Sequence, residues 1–394
     1  MASGGMASLP AASALPPLRI LCFLHSFEPG GVERVALRLC AAWDGDDATV
    51  TVALGRRDGA MAADAPALNY LVPSSGGFST AWFETLWMIL TLPRAIRQAR
   101  PDILFCAGNT YSIVAVAMKL LLGKRCPPIV AKISNDLDRA DQPRWFRWLY
   151  RRWCRVQGRF IDHFVATAEP VLAEIARAMG TDAGRMSVVP NPVLTRGDLD
   201  RLAAAHDARA QSAKGQGRRF LAAGRLVGQK DFASALRAFA RGAEPEDRLT
   251  IVGEGPDRPA LERMVRQLGL EHRVSLPGHS RSMSLAFANS DVFLLSSRYE
   301  GVPGVIIEAL AAGLPIVATD CCVAMAPLLR NGQLGRLVQR GDIAALSVAI
   351  REARPGSQAV QLAYAQAGRF TVERASSAYI GIMSALAGER AKGS

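Results

Sequence analysis

The sequence predicts an α/β protein made of two doubly wound, parallel-sheet domains that face each other across a cleft. Three observations carry this. Short apolar runs of strand length alternate with helix-like runs along nearly the whole chain, the pattern of repeated βαβ units. The alternation breaks once, at the polar stretch TRGDLDRLAAAHDARAQSAKGQG (195–217), and then restarts. The chain has 394 residues, enough for two domains of ordinary size, and 49% of them are apolar, enough for large cores.

In order, LRILCFLH (18–25) reads as a buried strand, SFEPGG as a turn, and VERVALRLCAAW (32–43) as a helix. TVTVAL (49–54) is a second strand, 81–99 a helix, DILFCAG (102–108) a strand, and 111–122 a helix. PIVAKIS (128–134), a helix through the 140s and 150s, HFVATA (163–168) and RMSVVPNPV (185–193) complete a domain over 18–197. A linker is expected at 198–217. The second domain, 218–370, runs RFLAAG (219–224), a helix at 231–241, RLTIVG (248–253), a helix at 257–268, RVSLPG (273–278), a helix at 282–289, DVFLLS (291–296) and PIVATD (315–320). A helix near 371–387 opens a C-terminal segment, 371–394, expected to pack back on the first domain.

The formal charge is +12 and is shared evenly, +6 in each of 1–197 and 198–394, which calls for an anionic partner rather than marking a basic tail. The seven cysteines form no CxxC and no metal-ligand spacing with histidine, so a reducing compartment is expected. MASGGMASLPAASALPP (1–17) has no basic stretch before an apolar core and reads as a disordered lead-in rather than a signal peptide. The best apolar runs, 86–93 and 113–122, are too short to span a bilayer.

The most informative stretch is SSRYEGVPGVIIEALAAGLPIVATD (296–320). Glu300 falls in a loop at a strand's carboxyl end. Gly301, Val302, Gly304 and Val305 lead into a helix whose first amides, those of Gly304, Val305 and Ile306, form an anion site. Glu308 is the only charge in VIIEALAA, and a carboxylate is costly to bury without partners. Sugar or ribose hydroxyls would supply donors to it; complementing the helix dipole from an exposed side is the plainer alternative. In AAGRLVGQKDF (222–232), Arg225 and Lys230 follow the first strand of the second domain and can converge on a diphosphate. Gly30 and Gly31 sit between the first strand and helix, where glycine lets a backbone approach a ligand. GEGPDR (253–258) lacks the third glycine of a dinucleotide fingerprint, which weakens a nicotinamide-oxidoreductase reading.

Taken in order, GG after the first strand, GRLVGQKDF, VGEGP, SLPGH and the Glu300–Glu308 pair in EGVPGVIIEALAAGLPIVATD resemble the retaining glycosyltransferases of family 4 (glycosyl transferases group 1), over nearly the whole chain and most strongly across 219–320. The resemblance implies a GT-B fold with two Rossmann-like domains, the second binding a nucleotide-sugar and the first an acceptor. It implies that Glu308 holds ribose hydroxyls, and that Glu300, with the loop from Gly301 and Val302 through Gly304 and Val305, holds the donor sugar. Arg225 and Lys230 would neutralise the leaving diphosphate, Gly31 would lie near the phosphates, and Gly278 and His279 would flank the base. Asn191, in VVPNPV, matches an asparagine near the interdomain hinge. Many relatives carry a histidine after the fourth strand of the first domain; here CAGNTYS stands in its place, so Asn109 or Thr110 would substitute. Ser134, Asn135 and His25 are further acceptor or sugar candidates. No metal or cofactor is implied: DLD (136–138) has no supporting pattern, and the substrate is a nucleotide-sugar, with UDP-sugars favoured. An epimerase and a non-catalytic partner subunit of the same fold are the alternatives; few histidines stand in the right loops for the first, and the intact charged set argues against the second.

PRWFRWLYRRWCRVQGRF (143–160) holds six arginines and no acid. Trp145, Trp148, Leu149, Trp153 and Val156 share one side of a helical wheel and Arg144, Arg147, Arg151 and Arg155 another, the make-up of an interfacial helix on an anionic membrane. A packed helix with a solvated arginine face is the simpler alternative. No nucleic-acid module is matched. The expected setting is cytoplasmic, peripheral on the inner face of the membrane, with a lipid-linked or saccharide acceptor and a role in bacterial surface polysaccharide or glycolipid synthesis.

Overall fold

The computed structural model describes residues 17–28, 30–45, 47–74, 83–133, 137, 143–211, 217–280, 282–356 and 359–393, without the side chains of 205–211. The lead-in expected at 1–17 falls, but for Pro17, outside them, as do Ser134, Asn135 and both aspartates of DLD.

The first domain runs β1 (Leu18–Leu24), α1 (Gly31–Trp43), β2 (Ala48–Leu54), β3 (Asn69–Leu71), α2 (Glu84–Ala99), β4 (Ile103–Cys106), α3 (Ser112–Leu122), β5 (Ile129–Ile133), α4 (Arg144–Phe160), β6 (His163–Ala166), α5 (Glu169–Met179) and β7 (Met186–Val188). Its strands pair in parallel in the order β3-β2-β1-β4-β5-β6-β7. Central strands are buried on both faces, which is why they read as continuous apolar runs. Right-handed crossovers place α2, α3, α4 and α5 side by side on one face and α1 on the other.

The second domain contains α6 (Arg196–Gln211), β8 (Arg219–Ala223), α7 (Phe232–Gly242), β9 (Arg248–Val252), α8 (Arg258–Gln267), β10 (Val274–Gly278), α9 (Met283–Ala288), β11 (Val292–Leu295), α10 (Gly304–Ala311), β12 (Ile316–Thr319), α11 (Met325–Leu328), β13 (Arg336–Val338), α12 (Ile343–Glu352) and α13 (Val360–Ala367). The sheet order is β10-β9-β8-β11-β12-β13, with one core on each face. Each sheet therefore reverses its winding once, between β1 and β4 and between β8 and β11. Open α/β sheets bind ligands in the crevice beyond such a point.

The linker expected at 198–217 is corrected by the structure. Most of it is α6, and it belongs to the second domain, because Leu194, Leu199 and Leu202 are buried in that domain's core. The overlooked signal is a reciprocal cap. The Asp198 amide donates to Thr195 Oγ1 (3.1 Å), while the Thr195 amide and hydroxyl donate to the Asp198 carboxylate (3.1 and 2.7 Å). That is a capping box, which starts a helix even in a polar sequence. The domain boundary therefore lies near Leu194.

The last helix, α14 (Val372–Gly393), buries Ala375, Tyr379 and Met383 in the first-domain core. Tyr379 meets Trp43 and Phe105 edge-on, at centroid distances of 5.4 and 5.6 Å. The chain thus crosses between domains twice, and the crossings hold each other: the amides of Val193 and Val372 donate to the Phe370 and Leu194 carbonyls, respectively (both 2.8 Å).

α4 also differs from its helical wheel. Trp153 turns inward with Tyr150 and Cys154, while Trp145, Trp148, Leu149 and Val156 stay exposed. Close approach to α5 sets this rotation, since a Cβ on Gly158 would lie 2.0 Å from the Met179 carbonyl oxygen. Among the described residues no helix is long and apolar enough to cross a membrane.

Close backbone approach also shapes the crevice of the second domain. Gly253 has φ +145°, and a Cβ there would lie 1.9 Å from the Gly224 carbonyl oxygen. Gly253→Ala should therefore destabilise the protein by ~2 kcal/mol or more, read as a lower midpoint in urea or heat. An unchanged midpoint would mean that the ends of β8 and β9 separate freely.

Candidate active site

The site is built at the β8–β11 reversal. Gly224 follows β8 with φ +153°, and a Cβ would sit 3.1 Å from Lys230 Cε, so glycine leaves room for the lysine to fold back over the strand end. The turn after it is fastened to the loop after β11. Ser296 Oγ donates to the Lys230 carbonyl (2.8 Å), the Arg298 amide to the Gln229 carbonyl (2.8 Å), and the Gln229 side-chain amide to the Tyr299 carbonyl (2.9 Å). Asp231, at φ +46°, caps α7 through the Ser234 amide and pairs with Arg298 (3.1 Å).

These ties place Lys230 Nζ 2.5 Å from Glu300 Oε1. Ser297 Oγ donates to the same oxygen (2.7 Å), and its own carbonyl accepts from Thr319 Oγ1 (2.7 Å). Lysine and glutamate are only 18% and 11% exposed, so solvent screens the pair little. Arg225 is exposed and, among the described residues, makes no side-chain hydrogen bond or ion pair. Gly301 and Val302 continue the loop to Pro303, the N-cap of α10. The Ile306 amide donates back to the Pro303 carbonyl (3.0 Å), so it is not available to an anion; Gly304 and Val305 carry the free amides of that helix start among the described residues.

Glu308 stands one turn further along α10. No hydrogen bond or ion pair to its carboxylate is found among the described residues. Burial raises its pKa to about 7; Arg38 of α1 lowers it and Asp198 raises it further, so burial prevails. Arg38 itself donates to the hinge carbonyls of Pro192 (3.2 Å) and Val193 (2.7 Å). The start of α10 packs on the same hinge, where a Gly304 Cβ would lie 3.3 Å from Val193 Cγ1. Asn191, two residues before Val193, has a buried side-chain oxygen with no partner.

Gly278 ends β10 at φ +87°, and its carbonyl accepts from the Gly253 amide (2.9 Å); His279 beside it is exposed. In the first domain, Gly31 opens α1 with no atom within 4 Å of where a Cβ would stand. At the β1–β4 reversal, His25 packs against Tyr111 (4.7 Å between centroids), which lies in the same 3₁₀ turn as Asn109 and Thr110. Burial holds the imidazole pKa below its ordinary value, and Nε2 is buried without a partner. The Tyr111 hydroxyl donates to Glu33 (2.6 Å). The fold thus brings His25, Asn109 and Thr110 together at one strand-end crevice and Arg225, Lys230, Glu300, Gly304 and Val305 at the other. Gly31, Asn191 and Glu308 belong to the α1, hinge and α10 segments near the domain junction. A separate cavity of about 650 Å³ beside α2, lined by Arg57, Tyr70, Trp87 and Arg94 among others, contains none of these residues.

Arg38, Gln229, Ser296, Ser297 and Arg298 were not singled out from sequence. Arg38 is one of two arginines on the helix after the glycine turn, with nothing in the sequence to set it apart from Arg34; the others lie inside quoted motifs, but their partners are backbone groups or side chains of other segments, which sequence does not reveal. Among the described residues no three His, Cys, Asp or Glu side chains group to hold a metal.

The two parallel-sheet, Rossmann-like domains define a protein of the GT-B fold class. A family model described as Glycosyltransferase Family 4 matches residues 29–196, and one described as Glycosyl transferases group 1 matches 217–353. The chain belongs to the group 1, family-4-type glycosyltransferases. An exopolysaccharide phosphotransferase of Streptomyces coelicolor is 32% identical over 193 residues, 48% of this chain but 19% of that protein. An N-acetylgalactosaminyltransferase of Campylobacter jejuni, named for a diphospho-undecaprenol-linked saccharide, is 33% identical over 119 residues, 30% of this chain and 32% of its own length. The chain thus matches about a third or less of either relative's length. The Anabaena HepE structure in complex with UDP has the same fold, with a TM-score of 0.71, 19% identity and coverage of 93% of this chain and 100% of that one.

The Glu308 carboxylate sets a pH dependence. Its folded pKa, about 7, lies above its ordinary 4.5. The folded state then binds more protons than the unfolded between those values, so stability falls as pH rises from about 4.5 to about 7, by on the order of 3 kcal/mol. Glu308→Gln should abolish that decline in denaturation profiles across the range. An unchanged slope would place the carboxylate in water.

Proposed function

We propose that the protein is a retaining glycosyltransferase that moves a sugar from a nucleotide-sugar to a lipid-linked or saccharide acceptor in bacterial surface polysaccharide or glycolipid synthesis. The observation that carries this reading is the set at β8–β11: Lys230 held on Glu300, Arg225 exposed and uncommitted in the same turn as Lys230, and the free amides of α10 after the Glu300 loop. Breaking a sugar–diphosphate bond leaves negative charge on the departing phosphate. Preorganised cations and a helix N-terminus stabilise that charge, which supports chemistry without a metal ion. Glu308, buried and lacking a donor, suits the ribose hydroxyls. The UDP in the Anabaena structure of the same fold makes uridine the first base to test, and the lipid-linked saccharide in the name of the Campylobacter relative supports an acceptor of that kind.

Retention follows from front-face transfer. The bond from the anomeric carbon to the diphosphate oxygen breaks. The acceptor oxygen bonds to that carbon on the same face, and its proton passes to the departing phosphate oxygen. A double displacement would need two carboxylates flanking the bond. Here Glu300 is engaged by Lys230 and Ser297, while Arg38 and Asp198 are the charges that act on Glu308, which supports separate roles for the two.

The test is a panel of UDP-, GDP- and ADP-sugars, with and without EDTA, read by thermal shift and donor hydrolysis. One donor should stabilise the protein regardless of EDTA. Lys230→Met should lower turnover by roughly a hundredfold or more. Binding should also release protons near pH 6.5, because hydroxyl donors favour ionised Glu308; calorimetry in buffers of different ionisation enthalpy measures this, and Glu308→Gln should remove it. No shift with any donor, with or without acceptor lipid, would overturn the transferase reading in favour of a partner subunit.

A further inference from the structure

The described surface concentrates its large exposed apolar side chains in one place. Of the fourteen that stand out to solvent, nine lie on α2, α3 and α4, so the distribution is not the single scattering that any surface shows. Trp145, Trp148, Leu149 and Val156 project from α4. Ile113, Leu120 and Leu121 project from α3, and Leu86 and Leu90 from α2. Spacings of three, four, seven and eight keep each set on one side of its helix. The helices adjoin in sequence order, α2 on α3 and α3 on α4, in a single layer over the first sheet. The result is a broad apolar face rather than one amphipathic helix.

Its surroundings are basic. α4 carries Arg144, Arg151, Arg152, Arg155 and Arg159 exposed, with Arg152 stacked over the Trp148 ring (4.9 Å). Lys124 and Arg125 follow directly on α3, and Arg94 and Arg97 are exposed on α2. The only acid in the three helices is Glu84, which is paired with Arg56 at the far end of α2.

We propose that α2, α3 and α4 together form a docking surface for an anionic lipid bilayer. Tryptophan with arginine is the pairing favoured where apolar chains meet headgroups. Charge decides against a second copy of the chain, since a two-fold interface would set this arginine-rich face against itself. The inference goes beyond the proposed function, because it concerns where the enzyme works and stands whether or not the donor assignment does.

Co-sedimentation with vesicles of phosphatidylcholine alone, or with phosphatidylglycerol added, tests it without any substrate. The full-length protein should pellet with the anionic vesicles, remain largely free with the neutral ones, and be released by salt. Its tryptophan emission should shift to the blue on binding. Replacing Trp145 and Trp148 with Gln, and separately Leu90, Leu120 and Leu121 with Gln, should each weaken partitioning by about tenfold or more while leaving the melting temperature unchanged. Arg151→Gln with Arg155→Gln should do the same by lowering the charge. Binding lost in the Trp145/Trp148 variant but intact in the leucine variant would overturn the composite face in favour of α4 alone. Equal binding to neutral vesicles, or no binding together with a dimer that the Trp145/Trp148 variant abolishes, would overturn the proposal.

Discussion

The half-buried Lys230–Glu300 pair is the interaction around which the second domain is arranged. Desolvating two charges is costly, and the pair is kept by geometry rather than by Coulomb attraction alone. That geometry comes from topology. β8 and β11 are neighbours whose onward connections leave toward opposite faces, so the loops beyond them are parted at the sheet and are rejoined by a few hydrogen bonds. Ser296, Gln229 and Arg298 join them by bonding to backbone across the gap, and Gly224 and Gly253 remove the Cβ atoms that would hold the strand ends apart. A cation held beside a carboxylate in this way is positioned before any ligand arrives, the condition under which electrostatic stabilisation of a leaving group costs least reorganisation.

The second constraint is the hinge. Two crossing segments, near Leu194 and Phe370, bond to each other, and Arg38 from the first domain donates into the same segment. Arg38 is thereby committed to carbonyls while still acting on Glu308 through space, too weakly to offset burial. Glu308 therefore reports on the junction: its ionisation depends on what lies against α10 and on the approach of α1. A ligand that supplies hydroxyl donors there and a change in domain separation that admits water would both lower its pKa.

The sheet winding was legible because doubly buried strands are continuous apolar runs and because glycine marks their ends. The charged residues of the candidate site, Arg225, Lys230, Glu300 and Glu308, stand out in the sequence for a different reason: Glu308 is a lone charge in an apolar helix, and the others lie in glycine-containing turns directly after apolar strands. α6 was not legible from its composition. Its cap is two residues, Thr195 and Asp198, and its burial rests on Leu199 and Leu202, too few apolar positions to mark a 16-residue polar helix. Short β3 and β13, three residues each, fall below what alternation can reveal. The inward turn of Trp153 was hidden because it depends on Gly158 meeting α5, a contact between segments rather than a property of α4.

The two domains treat charge differently, and this bears on how they divide the work. The described crevice of the second domain concentrates cations and free amides suited to phosphate. That of the first offers His25, held neutral by burial, a tyrosine bonded to a glutamate, and the turn at Asn109 and Thr110. Hydrogen-bonding groups of this kind suit hydroxyls, whose orientation they fix, and the glutamate would disfavour a second diphosphate in the sugar position. Much of the first domain's positive charge is carried on the outer helical layer, at α4 and the ends of α2 and α3. On the proposed function, a lipid-linked acceptor bearing its own diphosphate would meet cations on that outer layer and present its saccharide to the hydrogen-bonding groups of the crevice.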